Sequence, residues 1–168
     1  MAKKKLYDPY AELIDRFNRK GVSYVVVGMS GINYYARDAR GTFSTQDFDI
    51  FVNPTIPNIK KAVSILKELG YSVMVNGQEA QEERIKDAVR RKNTIIATDA
   101  YGVMFELILA VSGYTFNQME LDAVIFDVSS VPIKVARLNK LLMSKKAAAR
   151  DKDKIFLKRF RALLKETR

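Results

Sequence analysis

The sequence predicts an α/β (α+β) fold: a mixed sheet of about five to six strands flanked by helices, with basic helices at the C-terminus. Three observations predict it. Short apolar runs rich in β-branched and aromatic residues alternate with longer amphipathic stretches, as strands interleaved with helices do. No internal repeat or low-complexity segment interrupts that alternation. At 168 residues and 48% hydrophobic, the chain is long enough for a sizeable core and too apolar for general disorder. One domain is expected over 1–168, with a core over about 20–135 and a basic helical segment over 137–168.

Asp8 to Lys20 reads as an amphipathic helix with Tyr10, Leu13, Ile14 and Phe17 on one face. A strand over 22–28 follows and ends in the small-residue turn Gly28-Met29-Ser30-Gly31. A helix over 30–37 and a loop through Ala39-Arg40-Gly41-Thr42 come next. Strand, small turn and helix together offer backbone N–H groups to an anion such as a phosphate. A strand over 46–52 leads into the turn Asn53-Pro54-Thr55-Ile56-Pro57, and a helix from Asn58 to Leu69 is stopped by Gly70. Tyr71 to Val75 reads as a short strand and Glu79 to Arg91 as a charged helix. Segments 94–98 and 103–109 form a hairpin around Asp99-Ala100-Tyr101-Gly102. Strands near 122–128 and 131–135 precede helices over 137–149 and 152–166.

The chemistry concentrates on two strands. Asp47 and Asp49 are one residue apart in an otherwise apolar run, Phe48-Asp49-Ile50-Phe51-Val52. Residues two apart on a strand share a face, roughly 7 Å from one another. Two carboxylates on one patch are costly unless compensated, and a divalent cation with oxygen ligands, magnesium or manganese, is the usual compensation. A solvent-facing polar edge explains the spacing of the pair equally well. Glu106 stands in the middle of Gly102-Val103-Met104-Phe105-Glu106-Leu107-Ile108-Leu109, where a lone glutamate needs a reason. Asp127, in Val124-Ile125-Phe126-Asp127-Val128, is the runner-up for a third acid. Arg37 and Arg40 are within reach of phosphates from the loop but fit surface charges better, and Tyr34 and Tyr35 fit core packing better than base stacking.

Composition excludes much else. Without cysteine or histidine there is no disulfide, no thiolate chemistry, no Ser-His-Asp triad and no histidine metal ligand. Acid–base or metal work falls to Asp, Glu, Lys or Tyr. No apolar run approaches the length of a membrane-spanning helix, and Met1-Ala2-Lys3-Lys4-Lys5 is not followed by the apolar stretch of a secretory signal. A cytoplasmic protein is expected. Charge is lopsided: 13 of the 29 Lys and Arg, but only 3 of the 19 Asp and Glu, lie in residues 134–168. The whole net charge of +10 therefore sits in that tail, which suits a polyanion from a triphosphate to RNA, or equally the solvated face of two terminal helices.

The ordered set of Gly28-x-Ser30 after a strand, then Asp47-Phe48-Asp49-Ile50, then Glu106 between apolar residues on a later strand, resembles the DNA polymerase β-type nucleotidyltransferase superfamily. Within it the chain is most similar to the small nucleotidyltransferases of toxin–antitoxin and abortive-infection systems. The tail adds to the likeness: Val131-Pro132-Ile133-Lys134-Val135-Ala136, followed by Leu138, Leu141, Lys145, Lys146, Arg150, Lys152 and Asp153, is similar to that group's closing strand and basic helix. The match spans roughly residues 20–155. The chain differs in having Met29 beside Gly28, a longer stretch from Gly28 to Asp47, and glutamate at 106 where the group more often has aspartate.

The resemblance implies transfer of a nucleoside monophosphate from a nucleoside triphosphate to an acceptor hydroxyl on RNA, protein or a small molecule. Asp47, Asp49 and Glu106 would be the catalytic and metal-binding residues, with Mg2+ or Mn2+ as cofactor. Gly28 and Ser30 would line the phosphates, and Lys145 or Lys146 would neutralise the departing pyrophosphate. No second domain is visible to hold the acceptor, so the basic tail or a partner protein is expected to recognise it. A non-catalytic binding or antitoxin-like subunit that keeps the fold is the alternative, and an unrelated basic α/β domain a third.

Overall fold

The computed structural model describes residues 8–36 and 47–166, the last five by their backbone alone. The elements run α1 (Pro9–Lys20), β1 (Tyr24–Val26), α2 (Gly28–Asn33), β2 (Asp47–Val52), α3 (Ile56–Glu68), β3 (Ser72–Val75), β4 (Gln78–Glu79) and α4 (Glu82–Arg91). They continue with β5 (Ile95–Thr98), β6 (Met104–Ile108), α5 (Phe116–Leu121), β7 (Val124–Val128), β8 (Val131–Val135), α6 (Leu138–Ala148) and α7 (Asp151–Glu166). Among the described residues no helix is long and apolar enough to cross a membrane. The loop around Arg40 and the candidates Arg37 and Arg40 lie outside the described residues.

Local chemistry explains the boundaries. The Asp8 carboxylate caps α1 by accepting from the Tyr10 and Ala11 N–H groups, with Pro9 in the first turn where no donor is needed. Gly21 closes it in the left-handed region. α3 begins at Ile56 rather than Asn58, because Thr55 caps it and Pro57 fits its first turn. The expected hairpin is present: the Asp99 Oδ1 accepts from the Tyr101 and Val103 N–H groups, both at 2.9 Å, and turns β5 into β6.

Among the described residues all the strands join one mixed sheet in the order β4-β3-β5-β6-β2-β1-β8-β7. It has eight strands rather than the expected five to six. Two-residue β4 is too short to leave a sequence pattern. β7 and β8 join through a parallel pairing of β8 with β1, at Val26 and Val135, which no local signal announces. β2 also pairs in parallel with β6, and the other neighbours are antiparallel.

The sheet is unequal on its two faces. Phe48, Ile50, Phe105, Leu107, Ile95 and Ala97 alternate onto one face and are buried there. α1 and the α3–α4 pair cover it, and Tyr10 of α1 stacks on Phe48 with ring centroids 4.6 Å apart. The other residues of β2, β5 and β6 point to the opposite face, where α2 packs on β2 and α5 on β1. Phe51 meets Phe116 of α5 on that second face, with centroids 5.4 Å apart.

Candidate functional site

β2 puts Asp47 and Asp49 on the second face, and the parallel register with β6 sets Glu106 directly beside Asp49. Three acids from two central strands therefore share one patch. Their side chains bond to one another: Asp49 with Glu106, and Glu106 with Asp47. Asp127 does not join them. It is exposed on the edge strand β7, four strands from β6.

The turn after β1 is built around Asp49. Gly28 has a φ of +64°, and a Cβ placed on it would lie 2.3 Å from the Asp49 Oδ2. Only glycine permits that approach without a shift of the carboxylate. Buried Ser30 fastens the same strand: its hydroxyl donates to the Asp47 carbonyl at 3.0 Å and accepts from the Asp49 N–H at 3.2 Å. The Val27 N–H also donates to the Asp49 carbonyl. The hydroxyl of Ser30 thus holds the acid-bearing strand rather than standing free in the turn. The helix behind the turn, α2, starts at Gly28 and is only six residues long. Gly31 lets it sit close, since a Cβ there would meet the Val26 carbonyl at 3.1 Å and Leu141 of α6 at 3.2 Å. Tyr34 and Tyr35 pack as core aromatics on Phe126, and the Tyr35 hydroxyl donates to the Ala136 carbonyl.

Above the acids lies a cavity of about 620 Å³. Gly28, Met29, Asp47, Asp49 and Glu106 form its floor, and Lys145, Arg150 and Lys152 its cationic wall. Lys146 is exposed and does not line it. The sequence places Arg150 and Lys152 in the tail that resembles the group's basic helix, without assigning either to the phosphates. They lie at the break between α6 and α7, where Ala149 takes a φ of +50°. Asp153, 1% exposed, anchors this wall. It accepts from the Arg150 Nε at 2.7 Å and from the Lys145 Nζ at 3.5 Å. Lys145 also sits over the Phe156 ring, 4.9 Å from its centroid.

The electrostatics follow from this crowding. Burial first, then the charge and hydrogen bond of Glu106 and the charge of Asp47, push Asp49 up to about 7, against a smaller pull from Lys145. Burial and then Asp47 raise Glu106 as well. Burial pushes the Lys145 ammonium down, opposed by Asp153. Burial also raises Asp153, but the Arg150 hydrogen bond and the Lys145 charge outweigh it and hold that carboxyl below its usual range. Two neighbouring acids lifted together mark a patch short of positive charge.

Among the described residues no three acids stand ready as a complete set of metal ligands. The donor set nevertheless has the chemistry that a hard divalent cation prefers, carboxylate oxygens of three acids on one sheet face. The sequence matches no protein-family model and no curated protein. Among solved structures, the chain resembles the crystal structure of lincosamide antibiotic adenylyltransferase LnuA, lincomycin-bound, with a TM-score of 0.57 and 12% identity over 92% of this chain and 96% of that one. A likeness at that identity is one of architecture, and by it this chain has a nucleotidyltransferase-like fold.

Proposed function

We propose that the protein is a metal-dependent nucleotidyltransferase that moves a nucleoside monophosphate from a nucleoside triphosphate to an acceptor hydroxyl. The observation that carries this reading is the pairing of three acids on one sheet face with a cationic wall across the same cavity. The architecture shared with an adenylyltransferase supports it.

In the reaction the acceptor oxygen bonds to the α-phosphorus. The bond from that phosphorus to the bridging oxygen breaks, and pyrophosphate leaves with the electron pair. The acceptor proton passes to Glu106, which stands beside Asp49 on the face that the acceptor hydroxyl would approach. Lys145 and Arg150 face the departing phosphates, and Asp153 keeps both in place. Asp47, Asp49 and Glu106 would hold Mg2+ or Mn2+, which when bound supplies neutralisation of phosphate charge. Gly28 keeps the floor narrow under the phosphates. Within this reading the tail from Lys145 to Asp153 aligns the chain with the small nucleotidyltransferases of toxin–antitoxin and abortive-infection systems, acting in the cytoplasm where triphosphates are abundant.

The test is incubation with each α-labelled triphosphate, Mg2+, and total RNA or lysate, scored for transferred label. Label is expected with the parent and absent with Asp47→Asn plus Asp49→Asn. If that double variant binds manganese–triphosphate as well as the parent, the site is misassigned. That no three acids among the described residues stand ready to hold a metal favours a second reading, a non-catalytic nucleotide-binding subunit. Triphosphate binding without transfer to any acceptor would select it.

A further inference from the structure

Lys145 lines the cavity with a side chain only 14% exposed, and an ammonium so far removed from water needs compensation. Asp153 supplies part of it. The Asp153 carboxylate serves two cations, and the nearer is Arg150. That guanidinium donates from Nε to Oδ2 at 2.7 Å and from Nη2 to Oδ1 at 3.3 Å. The Lys145 Nζ reaches the same Oδ1 at 3.5 Å, the long end of a hydrogen bond. One negative charge is divided between two positive ones, and the Arg150 fork takes the larger share.

The second contact of Lys145 is a ring. Its Nζ stands 4.9 Å from the centroid of Phe156, within the range of a cation–π attraction. Asp153 and Phe156 are three apart on α7, so both turn to the same neighbour on α6. Phe156 is buried and lies against Phe160, with centroids 5.9 Å apart, which holds the ring in place. A ring face differs from a carboxylate in what it leaves behind. It attracts the ammonium without neutralising it, and it leaves the N–H groups to oxygen acceptors. A lysine gives up rotamer freedom when a ligand fixes it, and here the ring has fixed the side chain before the ligand arrives.

We propose that Phe156 is a positioning residue for the triphosphate: its ring holds the Lys145 ammonium at the cavity wall, still charged and with donors to spare, for a phosphate oxygen. The inference rests on the nucleotidyl-transfer reading, because that reading puts phosphates in the cavity. The two cations then divide their work. Arg150 and Asp153 clasp the α6–α7 junction, and Lys145 takes the phosphate.

The experiment measures binding of a non-hydrolysable Mg–triphosphate to the full-length protein by calorimetry. Phe156 is replaced site-specifically by a trifluorinated phenylalanine, which keeps the ring's shape and drains its face of negative charge, and separately by Phe156→Leu. Affinity is expected to fall roughly two- to threefold with the fluorinated ring and about three- to tenfold with leucine. In a Lys145→Ala background neither change should lower it further, because the ring acts through that lysine. Phe160→Leu, one turn along the same helix, is the structural control and should stay within about twofold of the parent. Equal affinities with the native and fluorinated rings, or the same further loss in the Lys145→Ala background, overturn the proposal. Should Phe156→Leu fail to fold, the fluorinated protein and its Lys145→Ala counterpart decide between those outcomes. A parent that binds no Mg–triphosphate strikes the nucleotidyl-transfer reading and this inference with it, whereas a parent that binds equally well whatever ring stands at 156 strikes the inference alone.

Discussion

The two faces of β2 differ in chemistry. Phe48 and Ile50 point into packed aromatics and aliphatics, with Tyr10, Phe105 and Tyr34 around Phe48. Asp47 and Asp49, one residue away on either side, point into an acidic cavity. The even face is satisfied by the protein alone. The odd face is not: burial and neighbouring carboxylates raise Asp49 and its neighbour Glu106, only partly offset by Lys145 and Lys152, so that protons or an added cation would relieve them further. The period-two geometry of a strand lets a central, well-packed element hold an unrelieved electrostatic site without loss of the core.

Substitutions on the two faces should therefore fail in opposite ways. Asp49→Asn removes a carboxylate that no neighbour replaces. Transfer activity is expected to fall by at least about 10³-fold, equivalent to roughly 4 kcal/mol of barrier, with the melting temperature in metal-free buffer unchanged or higher. Loss of folding in this variant, seen in a thermal melt, would make Asp49 structural and dissolve the contrast. Phe48→Ala should do the reverse. It empties a buried ring site and is expected to cost about 3–5 kcal/mol of stability by denaturant unfolding, while activity per folded molecule survives at low temperature. Equal losses of activity and stability in both variants would show that the two faces are not separable.

Much of this contrast was legible in the sequence because it is local. A strand of alternating character with acids at 47 and 49 announces both its period and its odd chemistry. Glu106 announces itself as a charge in an apolar run. Their convergence is different in kind: it depends on the parallel pairing of β2 with β6 across more than fifty residues, which no window contains. Short elements escaped for the opposite reason. β4 has two residues. α5 has six, although its Thr115–Gln118 capping box was present in the sequence as a start signal. In the sequence the tail is two basic helices with Lys145 and Lys146 as equal candidates, because charge counts carry no direction. The structure divides it: Lys145, Arg150 and Lys152, on either side of the turn at Ala149, line the cavity, while Lys146, Lys158, Arg159 and Arg161 are exposed outside it.

That division sharpens the comparison at the cavity's other wall. Lys145 and Lys146 are adjacent and alike in sequence, yet Lys145 lines the cavity, held by Asp153 and Phe156, and Lys146 is exposed outside it. Lys145→Ala is expected to weaken triphosphate binding by about 1.5–3 kcal/mol, the range of a charge-assisted contact. Lys146→Ala, and the joint neutralisation of exposed Lys158, Arg159 and Arg161, should change it by under about 0.5 kcal/mol. Calorimetry with a non-hydrolysable triphosphate checks both. Equal affinities across all variants would remove the tail from the site and leave the acids alone.

The smallest effect, and the most direct measure of the strain on the odd face, is the pH dependence of stability without metal. Asp49 has a folded value of about 7 against 3.8 for an unperturbed aspartate. Below pH 3.8 both folded and unfolded chains hold the proton, so the carboxyl costs nothing. Between 3.8 and 7 the folded chain still holds a proton that the unfolded chain has released, and stability declines as pH rises. Above 7 the cost is complete. Three units would amount to roughly 4 kcal/mol, but Glu106 shares the same proton and solvent enters the cavity, so a loss of about 1–2 kcal/mol is expected between pH 5 and 8 by denaturant unfolding. Asp49→Asn should flatten that slope, and Mg2+ with triphosphate should flatten it in the parent by supplying the missing positive charge. Phe48→Ala, for all its larger destabilisation, should keep the parent's slope, because its face of the strand titrates nothing. A parent whose metal-free stability rises from pH 5 to 8 would mean that the carboxyls are already compensated within the protein, and the distinction between the two faces of β2 would collapse to one of polarity alone.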